Sequence, residues 1–165
     1  MGQSALNQYF KLINLIGRIK VFLGASSLSL DAKGRLSVPT RHHDALMTSA
    51  DGHMVVTKHP HGCLMILPRP EWESFSAKIS ALPMSSLWIK RIFLSNAMPV
   101  ELDSTGRILI SPELREASGI TRETTLRGMG NYFELWDKAT YEAHEMREMK
   151  LMQDKMPDAL EDISF

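Results

Sequence analysis

Apolar and polar side chains alternate at Leu28 and Leu30, and again at Leu36 and Val38. Period-two runs of this kind mark strands with one buried face. Between them Asp31-Ala-Lys-Gly-Arg35 reads as a turn. Gly34 accepts positive φ at no steric cost, and an aspartate side chain can bond neighbouring backbone N–H groups. Pro39-Thr40 ends the second strand, with Thr40 placed to N-cap a short helix through Leu46. Met54–Thr57 and Leu64–Leu67 predict two more strands around a His-Pro-His-Gly turn. Pro70 suits the first turn of a helix, whose apolar face carries Trp72, Phe75, Ile79 and Leu82. Ser85–Asn96 reads as a further helix, with Leu87, Trp88, Ile92 and Phe93 available for packing.

The same pattern is then written a second time. A shift of 72 residues lays Asp31 on Asp103, Gly34 on Gly106, Arg35 on Arg107, Leu36 on Ile108 and Val38 on Ile110. After a short indel the register is 69, so that Leu64 meets Phe133, Ile66 meets Leu135 and Trp72 meets Tyr141. Val100 and Leu102 lead into the second Asp-x-x-Gly-Arg turn, and Pro112 opens a short helix that Gly119 can close. Thr124–Met129 and Tyr132–Trp136 predict strands, and Asp137 can cap a final helix carrying Tyr141 and Met146 toward Met152. Short strands mixed with helices, without long βαβ alternation, define an α+β class. Neither half holds much core alone, so the two copies are expected to interleave about a pseudo-two-fold axis. The expected division is an extension over 1–20, a first repeat over 25–72, connecting helices over 73–96, a second repeat over 97–140, and a C-terminal helix and tail over 141–165.

Composition narrows the reading in three ways. Nineteen basic and 19 acidic residues leave zero formal net charge, which excludes a strongly basic coat but allows a local basic patch. The one cysteine, Cys63, has no internal partner for a disulfide, which fits a reducing cytoplasm. The apolar run from Leu12 to Leu23 is interrupted by Arg18 and Lys20. It falls short of the ~20 apolar residues that span a bilayer and has no signal-peptide cleavage site. It reads as a leader helix or as sequence upstream of the true start, with a membrane-surface helix as the alternative.

The two stretches GASSLSLDAKGRLSVPTRHHDAL and ELDSTGRILISPELREASGI resemble the two halves of the MraZ family, and LPRPEWESF and NYFELWDKATYE also follow its pattern. The hairpin unit is similar to that of the swapped-hairpin transcription factors AbrB and SpoVT. The resemblance runs from about Val21 to the end of the last helix. It implies a duplicated swapped-hairpin, β-barrel-like core with packed helices. It also implies a cytoplasmic, nucleoid-associated transcription regulator that binds repeated promoter elements upstream of the division and cell-wall gene cluster, including its own promoter. Members assemble into homo-oligomeric rings, often octamers, and the resemblance favours repression. Members usually begin Met-Phe-x-Gly. Here that place reads Val21-Phe22-Leu23-Gly24, so residues 1–20 are expected to lie upstream of the native start.

On this reading Arg35 follows a glycine turn, where a guanidinium offers a planar fork of donors to phosphate or to guanine O6 and N7. Lys33 adds a point charge, and Thr40 and Arg41 begin a helix whose N–H groups can face an anion. Arg107 repeats Arg35, but Thr105 stands where the first loop has Lys33, so the loops are not equal. The DNA-binding candidates are therefore Lys33, Arg35, Arg41 and Arg107, with Asp31, Gly34, Asp103 and Gly106 as the turn motif. The alternative is that each Asp–Arg pair, four residues apart, simply pins its own hairpin. His42 and His43 read as exposed polar helix residues, and the charges from Glu142 to Lys155 as a solvated face. His59, His61 and Cys63 prompt a metal check, but Pro60 and Gly62 indicate a turn and structural zinc normally takes four ligands, so no metal is expected. No small-molecule ligand, cofactor or membrane partner is expected. No nucleophile elbow, phosphate loop or zinc-protease motif occurs, so an enzyme is not expected, and a structural or protein-binding ring that does not read DNA is the competing class.

Overall fold

A computed structural model of the chain describes residues 22–160 and Ile163, and the expectations for residues 1–20 lie outside them. The first half contributes β1 (Ala25–Ser29), β2 (Arg35–Ser37), α1 (His43–Ala50), β3 (His53–Lys58), β4 (Leu64–Pro68) and α2 (Arg69–Ser80). A short helix α3 (Leu87–Phe93) connects to β5 (Met98–Glu101), β6 (Arg107–Leu109), α4 (Pro112–Ala117), β7 (Glu123–Gly128), β8 (Phe133–Asp137) and α5 (Lys138–Asp154).

The strands are exchanged between halves. Six of them form an antiparallel sheet in the order β1-β7-β8-β4-β3-β5, and β2 pairs with β6 in a separate two-stranded ribbon. Each half builds a β-hairpin, β3–β4 or β7–β8, and the first strand of the other half completes its outer edge. A pseudo-two-fold axis follows from the registers. In the ribbon Leu36 faces Ile108, its own repeat counterpart. In the sheet Met65 faces Glu134, flanked by Leu64 opposite Leu135 and Ile66 opposite Phe133.

Period-two alternation sends alternate residues of β4 and β8 to opposite faces. Leu64, Ile66, Phe133 and Leu135 join Leu36, Ile108, Leu46 and Leu114 in the main core, between the sheet and the ribbon with its flanking helices. Met65 and Leu67 face the other way and pack with Ile79 and Phe93 beneath α2 and α3. α2 begins where expected, with Pro70 in its first turn, and Asp137 caps α5 by accepting from the Thr140 N–H at 3.0 Å. Gly119, at φ 65, closes α4 as expected, its N–H donating to the Glu116 carbonyl. Among the described residues no helix is long and apolar enough to cross a membrane.

Three expectations change. Thr40 caps nothing: Thr40–His42 form a 3-10 turn closed by the His42 N–H on the Pro39 carbonyl, and α1 follows through Ala50. In the second half Ser111 takes the capping role, accepting from the Leu114 N–H. His42 is buried, not exposed, because the 3-10 turn folds its ring against Phe22 and Phe133, at centroid distances of 5.7 and 4.9 Å. Trp88, expected to be available for packing, is 72% exposed, because no described element covers it.

Candidate nucleic-acid interface

Each Asp-x-x-Gly-Arg turn is closed around its own carboxylate. Asp31 Oδ1 accepts from the N–H groups of Lys33 and Arg35, both at 2.9 Å, and its Oδ2 accepts from Arg35 Nε at 2.6 Å. Asp103 repeats this with the N–H groups of Thr105 and Arg107 at 2.9 Å and Arg107 Nε at 3.0 Å. The backbone N–H of Arg35 and then its guanidinium hold the Asp31 carboxyl below its ordinary range. The N–H of Arg107 does the same at Asp103, aided by the Thr105 hydroxyl. Both carboxylates therefore stay ionised at neutral pH and fix the arginines they touch.

Gly34 and Gly106 sit at φ 81 and 79, in the left-handed region. Each is also crossed by a side chain from the other half. A Cβ at Gly34 would meet the Arg115 guanidinium carbon at 2.7 Å, and one at Gly106 would meet the His43 ring. Arg115 and His43 are repeat counterparts, 72 positions apart. Each reaches back to the strand before its own helix: His43 Nε2 lies 2.6 Å from the Val38 carbonyl, and Arg115 Nε donates to that of Ile110 at 3.2 Å. The backbone reciprocates, with Val38 N–H bonded to Gly106 O and Ile110 N–H to Gly34 O. His43 is thus a half-buried locking residue rather than an exposed helix residue. Sequence reasoning missed both locks because the two copies use different side chains for one task.

The pleat then sorts the ribbon. Leu36 and Ile108 point into the core, while Arg35, Ser37, Arg107 and Leu109 occupy the opposite face. Arg35 and Arg107 side chains are 30% and 29% exposed, and Arg107 Nη1 comes within 4.0 Å of Asp31 Oδ2 across the axis. Asp31, Gly34, Arg35, Asp103, Gly106 and Arg107 therefore form one cluster. Among the described residues, Arg35 uses Nε on Asp31 and its Nη groups have no protein partner. Lys33 is exposed beside it, whereas Thr105 is engaged, its hydroxyl donating to Asp103 at 2.9 Å.

Arg41 is not part of this cluster. Its Nη2 donates to Ser26 Oγ at 2.7 Å, over the edge strand β1, and its repeat counterpart is Glu113. A 3-10 turn of three residues gives it no helix N-terminus to share. Of the metal-check residues, His59 and Cys63 come together, joined by Glu134 from the other half and not by His61.

An outward two-stranded ribbon on a pseudo-two-fold axis, framed by exchanged hairpins, defines a duplicated swapped-hairpin protein of the α+β class. A family model described as "MraZ protein, putative antitoxin-like" matches residues 21–87 and 93–160. The chain belongs to the MraZ family. It is 66% identical over 145 residues to a protein of Variovorax paradoxus (strain S110), covering 88% of this chain and 100% of that relative. Relatives from Acidovorax sp. (strain JS42), at 65%, and Paraburkholderia phytofirmans (strain DSM 17436 / LMG 22146 / PsJN), at 57%, match with the same coverage. All three carry the name "Transcriptional regulator MraZ".

Proposed function

We propose that this chain is a sequence-specific DNA-binding transcriptional regulator that reads promoter DNA with the outer face of its β2–β6 ribbon. The observation that carries this is the joining of both Asp-x-x-Gly-Arg turns on one exposed face. Arg35, Arg107, Arg115 and Lys33 there outnumber Asp31 and Asp103. A two-stranded β-ribbon fits the major groove of B-DNA, where an arginine fork can address guanine O6 and N7. The carboxylates hold each guanidinium by Nε, so pairing within the hairpin and contact with DNA are compatible roles for one arginine. Lys33 and Arg35 are the principal contacts, Arg107 supports them from the second loop, and Arg41 reaches flanking phosphate.

One ribbon carries few charges, so useful affinity calls for several copies. A homo-oligomeric ring facing repeated elements supplies this through effective concentration, and bending a short site toward it costs on the order of 1–6 kcal/mol. At the division and cell-wall gene cluster this makes the protein a cytoplasmic, nucleoid-associated repressor of its own promoter. The test is a mobility shift on that promoter across a salt series, for the parent, Lys33→Ala and Arg35→Ala. Specific binding by the parent, lost in variants of unchanged oligomer size, is the expected result. A correctly assembled parent with no specific binding would assign the ring to a structural or protein-binding role and the turns to architecture.

A further inference from the structure

One chemically distinctive cluster lies on the opposite side of the sheet from the ribbon. The β3–β4 turn carries His59 and, immediately before β4, Cys63. Glu134 comes from β8 of the other half, where it faces Met65 on the axis. Ligand atoms of His59, Cys63 and Glu134 all lie within 4.8 Å of one another. Cys63 is 2% exposed and Glu134 9% exposed, while His59 is half-buried at the rim. We propose that these three side chains form a binding site for a divalent transition-metal ion of the zinc class.

Three observations support the assignment. The first is the donor set: imidazole, thiolate and carboxylate is a combination zinc accepts, and hard cations such as magnesium do not favour thiolate. The second is scale. Around tetrahedral zinc, donor atoms stand about 3.5 Å apart, so the three need to close by little more than about 1 Å. The turn bearing His59 is closed by local bonds, the His59 N–H to the Cys63 carbonyl and the Gly62 N–H to the His59 carbonyl, which already hold His59 beside Cys63. The third is support. Glu134 is oriented by the Trp136 indole N–H, which donates to Oε2 at 2.8 Å, the kind of outer contact that fixes a metal-ligating carboxylate.

The repeat comparison adds an independent argument. At a shift of 69, the counterpart of Cys63 is Tyr132 and that of Glu134 is Met65. The duplicated fold thus does not require these ligands at the equivalent positions, and among the described residues the cluster occurs once, assembled from both copies. The exposed His61 ring lies 4.8 Å from that of His59, within reach of a fourth position. Bound metal would cross-link the β3–β4 turn of the first half to β8 of the second. Metal binding through either ring nitrogen would end the His61 N–H contact to His59 Nδ1, at 3.1 Å, because that nitrogen would then either hold the metal or carry the ring proton.

The experiment uses the full chain, purified without chelator and titrated with Zn²⁺ and with Co²⁺. Expected is one metal per chain that survives gel filtration, with a thiolate-to-cobalt charge-transfer band in the near ultraviolet. The band disappears in Cys63→Ser, and Glu134→Gln and His59→Gln each weaken zinc binding by ~10-fold or more. Glu134→Gln retains a carbonyl oxygen to accept the Trp136 indole bond, so that variant keeps the sheet even if Cys63→Ser folds poorly. Absence of stoichiometric metal in the folded parent overturns the proposal. So does zinc binding that is indifferent to Glu134→Gln and shows no thiolate band with cobalt, which would place the ion on the surface histidines alone.

Discussion

Replacing Gly106 with alanine tests how the two halves are locked. The residue sits at φ 79, and an added Cβ would collide with the His43 ring, whose Nε2 lies 2.6 Å from the Val38 carbonyl. Holding an L-residue in the left-handed region costs about 1–2 kcal/mol. Pushing the imidazole aside forfeits its hydrogen bond, about 1 kcal/mol more. Gly106→Ala should therefore lose about 2–3 kcal/mol, read from urea denaturation at fixed protein concentration. His43→Ala removes the ring in advance, so Gly106→Ala in that background should cost only the backbone strain of about 1–2 kcal/mol. The two substitutions should thus be non-additive by roughly 1 kcal/mol, a coupling a double-mutant cycle resolves. Strict additivity, or a Gly106→Ala cost under about 0.5 kcal/mol, would refute the lock. Gly34→Ala should behave alike: a Cβ there meets the Arg115 guanidinium, whose Nε donates to the Ile110 carbonyl at 3.2 Å, so displacing it adds the loss of that bond to the backbone strain.

Three further outcomes follow from the same geometry. Lys33→Ala, if the side chain meets a phosphate, should weaken binding uniformly across sequences and flatten the log–log salt slope by about one for each lysine–phosphate pair removed, measured by mobility shift at several salt concentrations. Leu36→Ala empties a fully buried position opposite Ile108 on the axis and should cost about 2–5 kcal/mol, whereas Trp88→Ala on the exposed side of α3 should change denaturation by less than about 0.5 kcal/mol. The Asp31 and Asp103 carboxyls are held below their ordinary values in the fold, so their stabilisation is complete above the unfolded carboxylate range and is lost as pH falls through the folded values. The stability gap between the parent and Asp103→Asn should accordingly be present at pH 7 and shrink steadily below about pH 4, as denaturation midpoints across that range would show.

Much of the protein is legible from short windows of sequence. Alternating apolar residues mark the strands, Asp-x-x-Gly-Arg marks both turns, and Pro70, Gly119 and Asp137 mark helix ends, because each depends on residues within a few positions of one another. The internal repeat shows that the same unit occurs twice, and the arginine candidates follow from it. Partner choice lies beyond such windows. A first strand could complete its own hairpin or that of the other half with the same local pattern, and only the fit of the whole core selects the exchange. The Thr124 hydroxyl bonding the Leu28 carbonyl, 96 residues away, is one visible result. The exchange carries His43 and Arg115 over the glycines of the opposite half, buries His42 against Phe133, and delivers Glu134 to His59 and Cys63. It also turns two separate loops into a single basic ribbon. Local chemistry wrote the parts, and long-range packing, whose energy depends on the whole core rather than any segment, decided which of them meet.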